Sequence, residues 1–93
     1  MELFMFARFH ARAMGVSEAL QKVVASSREE IGCINIHAFR SIRDPLLFYI
    51  HSRWTDDAAF ETHATLPHTG RFIERVEPLI DHALEAQRCE IIV

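Results

Sequence analysis

Trp54 closes an apolar run and passes directly into Thr55-Asp56-Asp57-Ala58-Ala59-Phe60, followed by His63, Pro67-His68 and Phe72. An aromatic anchor and two imidazoles therefore fall around one apolar helix, at the seam where a strand hands over to it. Compact α+β domains tend to form small-molecule pockets at such seams. His63 lies three and four residues after Phe60 and Ala59, so its ring projects on the helix face that packs towards the sheet. It reads either as a half-buried histidine satisfied by a backbone carbonyl or as a proton acceptor beside an apolar pocket, suited to general acid–base work. Trp54 reads either as a large core side chain whose indole N–H finds a partner or as a platform for a planar ligand. His68, directly after Pro67, is a helix-start residue with a weaker claim to a ligand.

The strand histidines His10, His37 and His51 raise a metal question. No cysteine or carboxylate on their face is positioned to complete the three or four ligands that zinc takes, so they are assigned to packing in a subunit interface and no metal is expected. Phosphate loops, GxSxG elbows and CxxC pairs are absent, and three glycines leave little room for any. The two cysteines, Cys33 and Cys89, read as small apolar residues rather than a disulfide.

The elements that must position these residues follow from the hydrophobic period. Residues 2–12 alternate as a strand, with Leu3, Met5, Ala7, Phe9 and Ala11 on one face. Gly15 and Ser17 open a helix carrying Val16, Ala19, Leu20, Val23, Val24 and Ile31 on its buried side, and Gly32 is expected to close it in a left-handed cap. Residues 33–42 and 46–54 form a hairpin around Arg43-Asp44-Pro45. Its apolar faces fix the register, setting Ile42 against Leu46, His37 against His51 and Asn35 against Arg53. Thr55 is the expected N-cap of the next helix, which stops before Pro67. A second piece then carries Phe72, Ile73, Val76, Leu79 and Ile80, with Pro78 in its last turn. A strand from Leu84 to Ile92 ends the order β-α-β-β-α-β, the ferredoxin-like split unit of an α+β domain with an antiparallel sheet. The strands bearing Cys33 and Cys89 are opposite edges of such a sheet, too far apart for a disulfide.

Composition bounds the function. Ninety-three residues make one domain, 1–93, too small for a deep enclosed site without a second subunit. Apolar residues form 49% of the chain, an excess that points to a partner-facing surface and so to a dimer. A net charge of −3 excludes the basic stripe of a nucleic-acid binder. No stretch reaches the roughly 20 apolar residues of a membrane span, and Glu2, Arg8 and Arg12 spoil a signal peptide, so the expectation is a cytoplasmic protein.

Over nearly its full length the chain resembles the antibiotic biosynthesis monooxygenase family. The resemblance is carried by Phe6-Ala7-Arg8-Phe9-His10-Ala11-Arg12, Glu29-Glu30-Ile31-Gly32-Cys33, Arg53 to Phe60, His63, Pro67-His68 and Phe72. It implies a homodimer whose sheets close into a shared α/β barrel, with Phe39, Tyr49, His37 and His51 at or near the interface. It also implies cofactor-independent oxygenation of a quinol or other electron-rich aromatic. The haem-degrading branch of the family is marked by an axial histidine in the later helix, and Arg71-Phe72-Ile73-Glu74-Arg75-Val76 offers none. The working assignment is His63 as catalytic base, with Trp54, Phe60, His68 and Phe72 binding substrate, no cofactor and no metal. The rivals are an isomerase of a small phosphorylated signalling metabolite, favoured if Arg8 or Arg53 turns inward beside His63, and a non-catalytic dimeric ligand-binding domain.

Overall fold

The computed structural model describes residues 1–93 and has the split order read from the sequence. Strand β1 is Leu3–His10, helix α1 Val16–Arg28, β2 Cys33–Arg40, β3 Leu47–Trp54, α2 Asp57–Thr65, α3 Pro67–Val76 and β4 Ala86–Cys89, with a single 3-10 turn at Glu77–Leu79. The sheet runs β2-β3-β1-β4, with every neighbouring pair antiparallel. This is an α+β, ferredoxin-like fold whose sheet stays open within one chain. Cys33 and Cys89 sit on opposite edge strands, and both are free.

One face of the sheet is covered and the other is bare. Met5 and Phe9 of β1, Phe48, Ser52 and Trp54 of β3 and Ile36 of β2 are buried beneath the helices, against Val16, Leu20, Val23, Phe72 and Val76. The alternate positions Phe6, Arg8, Tyr49, His37 and Phe39 are exposed. The hairpin register is the expected one, with His37 opposite His51 and Asn35 opposite Arg53. A bulge between Cys33 and Asn35 then lets Cys33 meet Trp54.

Five features differ from the sequence expectation. The hairpin strands end at Arg40 and begin again at Leu47, so Ile42 and Leu46 do not pair. Side chains shape the connection instead: Ser41 Oγ accepts the Arg43 and Asp44 N–H groups at 3.2 and 3.1 Å, and Asp44 Oδ1 accepts Leu46 N–H at 3.0 Å. Helix α1 stops at Arg28, leaving Ile31 exposed. The left-handed glycine is Gly15 at the start of α1, with φ 105°, rather than Gly32. The α2 cap is Asp56, whose carboxylate accepts Ala59 N–H at 2.8 Å, and Thr55 precedes it. The last strand is shorter than expected, four residues, and ends at Cys89.

Gly32 is needed for space. A Cβ built there would stand 2.3 Å from Ala59 Cβ, so only glycine lets the turn before β2 lie against the first turn of α2. Thr55 N–H donates to Gly32 C=O at 3.0 Å and ties the two segments together. That contact fixes where α2 starts, and with it the height of His63 above the sheet.

Candidate active site

His63 is the buried residue of α2, 8% exposed. Its ring lies on the indole of Trp54, centroids 4.5 Å apart, and beside Phe60 at 5.5 Å. Trp54 is wholly buried, and its Nε1–H donates to Ser52 Oγ at 2.9 Å, so the indole nitrogen is satisfied. The indole forms the floor on which His63 rests.

The break between α2 and α3 brings a second imidazole to the same place. Leu66 precedes Pro67 and is held extended, φ −73° and ψ 148°, as a residue before proline must be. In an unbroken helix residues five apart point about 140° away from each other. The break resets that phase, and the rings of His63 and His68 come within 6.1 Å.

Both imidazoles converge on Glu30, a residue the sequence reading did not single out. His63 Nδ1 and His68 Nε2 each lie 2.8 Å from the same oxygen, Glu30 Oε2. The three side chains are 10%, 20% and 12% exposed for His63, His68 and Glu30. A carboxylate only accepts hydrogen bonds, so each nitrogen facing it carries a proton. The lone pair of neutral His63 is therefore left on Nε2. A buried carboxylate also stabilises positive charge on the ring it holds, as the third member of a catalytic triad does. Glu30 is fixed in turn, since its N–H donates to Ser27 C=O at 3.0 Å and its C=O accepts Cys33 N–H at 3.1 Å.

A cavity of about 180 Å³ lies alongside this group between sheet and helices. Phe60, His63 and Phe72 are on its wall, together with Met5, Ile36, Ile50 and Thr69. Trp54 and His68 are not. Trp54 lies behind His63, Phe60 and Ser52, which line the cavity and contact the indole, while His68 lines a separate groove between α1 and α3 beside Lys22, Arg71 and Arg75. Thr69, 7% exposed, shares this largely apolar wall with Ser52 and His63, and its buried hydroxyl has no partner in the protein. Arg8 is exposed on the bare sheet face, and Arg53, on the same face, is held by Glu2 at 2.8 Å, so neither turns towards His63.

The metal question also moves. The three strand histidines do not converge: His10 bonds Asp44 Oδ2 at 2.6 Å, away from the His37–His51 pair. The set of metal-compatible size is instead Glu30, His63 and His68, whose ligand atoms lie within 4.8 Å of one another. Near it, burial foremost and the Glu30 carboxylate second push the Cys33 thiol up, with Arg28 opposing. Cys33 is thus held as the neutral thiol.

The family model for antibiotic biosynthesis monooxygenases matches residues 10–75. Among solved structures the chain is similar to Rv0793 from Mycobacterium tuberculosis, with a TM-score of 0.91 and 18% identity, covering 100% of this chain and 97% of that one. It is similar to PA3566 from Pseudomonas aeruginosa, with a TM-score of 0.88 and 28% identity over 99% and 95% of the two chains. A crystal structure of an antibiotic biosynthesis monooxygenase gives a TM-score of 0.87 at 19% identity, over 98% and 99%.

Proposed function

The chain belongs to the antibiotic biosynthesis monooxygenase family, and from that premise we propose that it is a cofactor-independent monooxygenase of a small electron-rich aromatic, a quinol in the simplest case, with His63 as general base. The observation that carries this reading is the anchored imidazole. His63 is tied through Nδ1 to Glu30 and packed against Trp54, and Nε2 is left free on a ring that borders a largely apolar cavity. A phenol ionises near pH 10 in water, so oxygenation at neutral pH needs a base held at the hydroxyl and a site that tolerates the anion. Glu30 sets the tautomer and offsets the positive charge that His63 acquires.

The reaction balances without a further reductant. Hydroquinone and O₂ give hydroxybenzoquinone and water. His63 takes the phenolic proton, the electron-rich ring carbon bonds to O₂, and the ring hydroperoxide loses water, returning His63 to its neutral form. One oxygen atom stays on the ring and the other leaves as water, and the substrate supplies all four electrons. Phe60 and Phe72 supply apolar wall, Trp54 holds the base from beneath, and His68 acts from outside the cavity through Glu30.

The cavity's size favours a small substrate. A dry cavity of roughly 150 Å³ holds benzene, so about 180 Å³ fits one ring and its substituents rather than three fused rings. Thr69 would give a second oxygen of such a ring a partner. The phosphorylated-metabolite reading finds no support, because no arginine or lysine is on the cavity wall.

The functional unit proposed is a homodimer closed through the bare sheet face. Phe6, Phe39 and Tyr49 are exposed there beside His51, around a broad concavity of about 830 Å³. Exposed aromatics gathered on one face fit a surface that a second copy covers.

Oxygen uptake on a panel of quinols tests the reading. His63→Ala should lower turnover by roughly 10²–10⁴-fold, the range for losing a general base, with the fold retained by circular dichroism. Wild-type rates in that variant would remove the base assignment, and ligand binding without oxygen uptake in the wild type would favour a non-catalytic binding domain.

A further inference from the structure

Glu30, His63 and His68 come from the turn after α1, the end of α2 and the start of α3, and they present two imidazole nitrogens and a carboxylate to one point. We propose that these three side chains form a binding site for a divalent zinc-class cation, and that its occupancy switches off the base. This second statement rests on the reading of His63 above; the site itself does not.

Zinc is bound by imidazole nitrogen at about 2.0–2.1 Å and by carboxylate oxygen at about 2.0–2.2 Å, so two ligand atoms on a tetrahedral ion stand about 3.4 Å apart. Here each nitrogen is 2.8 Å from Glu30 Oε2. Opening both edges by about half an ångström, with the two nitrogens, which lie within 4.8 Å of each other, settling to the same spacing, makes room for the ion. Two imidazoles and one carboxylate suit zinc and its transition-metal neighbours, whereas Mg²⁺ and Ca²⁺ prefer all-oxygen shells. Three protein ligands leave the fourth position open to water.

Coordination has a defined effect on His63. The metal takes the Nδ1 lone pair and displaces the proton now shared with Glu30, so the neutral ring must carry its proton on Nε2. That is the atom the proposed reaction needs empty. A zinc-loaded chain could donate a hydrogen bond to a phenol but could not accept its proton.

The test is calorimetric titration of the untagged protein with ZnCl₂ in a non-coordinating buffer, with MgCl₂ as control. One Zn²⁺ per chain is expected, and no response to Mg²⁺. Loss of a second-shell partner costs metal sites about 10–100-fold in affinity, so Glu30→Gln and His68→Gln, each removing a direct ligand, should weaken zinc by no less. Cobalt(II) provides a reading independent of variant folding, since its visible absorption should report a four-coordinate ion in the wild type. The absence of stoichiometric zinc, or binding undiminished in both variants, overturns the site. Stoichiometric zinc that leaves oxygen uptake unchanged keeps the site but overturns the switch, and with it the role of His63 as base.

Discussion

The two faces of the sheet hold the same residue types under opposite conditions. On the covered face His63 packs against a buried indole and is anchored, with His68, to one largely buried carboxylate. On the bare face His37 and His51 pair across strands among exposed aromatics, and His10 bonds a half-buried loop aspartate. A carboxylate fixes one ring nitrogen of His10 as it does of His63, but only in the seam is that anchored ring also buried against an indole and set beside an apolar cavity. The bare face offers aromatic area instead, which suits association rather than proton transfer.

The contrast can be broken most strongly from beneath. Trp54→Ala removes the floor under His63 and leaves a cavity at the sheet–helix junction. It should cost about 3–5 kcal/mol in chemical denaturation, where a surface aromatic such as Phe39→Ala should cost far less in the monomer. Near-equal losses would mean that the two faces do not differ as described. Gly32→Ala forces the turn before β2 away from Ala59. About 1–3 kcal/mol should be lost by overpacking, and quinol turnover should fall with it, because α2 carries His63.

Much of this was legible in the residues alone. The apolar faces of β2 and β3 could be aligned in only one register, and the helix period aimed His63 at Trp54. The rest depended on contacts between distant segments. Glu30 sits in a turn with no periodicity to mark it, 33 positions before His63 in the chain, and nothing local announces that its carboxylate ends beneath α2. The combination of a Pro67 break with a histidine on either side was visible, but its consequence, two rings brought to one point, needed the rotation that the break introduces. Gly32 read as a conformational glycine and proved to be a steric one, because the atom it must avoid belongs to another helix. The hairpin connection was misjudged because Ser41 and Asp44 supply the turn's hydrogen bonds from their side chains.

Smaller effects sharpen the same comparison. Tyr49→Glu should convert a dimer of about twice 10.7 kDa into a monomer in analytical ultracentrifugation, since it places a carboxylate in a contact that excludes water. The monomer's own unfolding should move by less than about 0.5 kcal/mol, as for other surface changes. A wild type that sediments as a monomer would contradict the role given to the bare face. Thr69→Val should weaken hydroquinone binding by roughly 2- to 10-fold, the worth of one neutral hydrogen bond, while phenol binding is unchanged. Smallest is the effect at Cys33. Its thiol is pushed up by burial, so the folded protein favours the neutral form, and the stability this contributes is present below the unfolded thiol's pKa and lost as pH rises through the folded value. Iodoacetamide at pH 8 should modify Cys33 more slowly in the folded chain than in urea, and equal rates would contradict the assignment.

The claim that His63, held by Glu30, is the base can be read from a spectrum without turnover. Under anaerobic conditions at pH 7 the protein is titrated with a one-ring phenol that is un-ionised in free solution and whose anion absorbs at longer wavelength than its neutral form. The wild type should bind it with the phenolate absorption band, and His63→Ala should bind it, if at all, as the neutral phenol. A neutral-phenol spectrum in the wild type, or a phenolate band that survives in His63→Ala, would contradict the account.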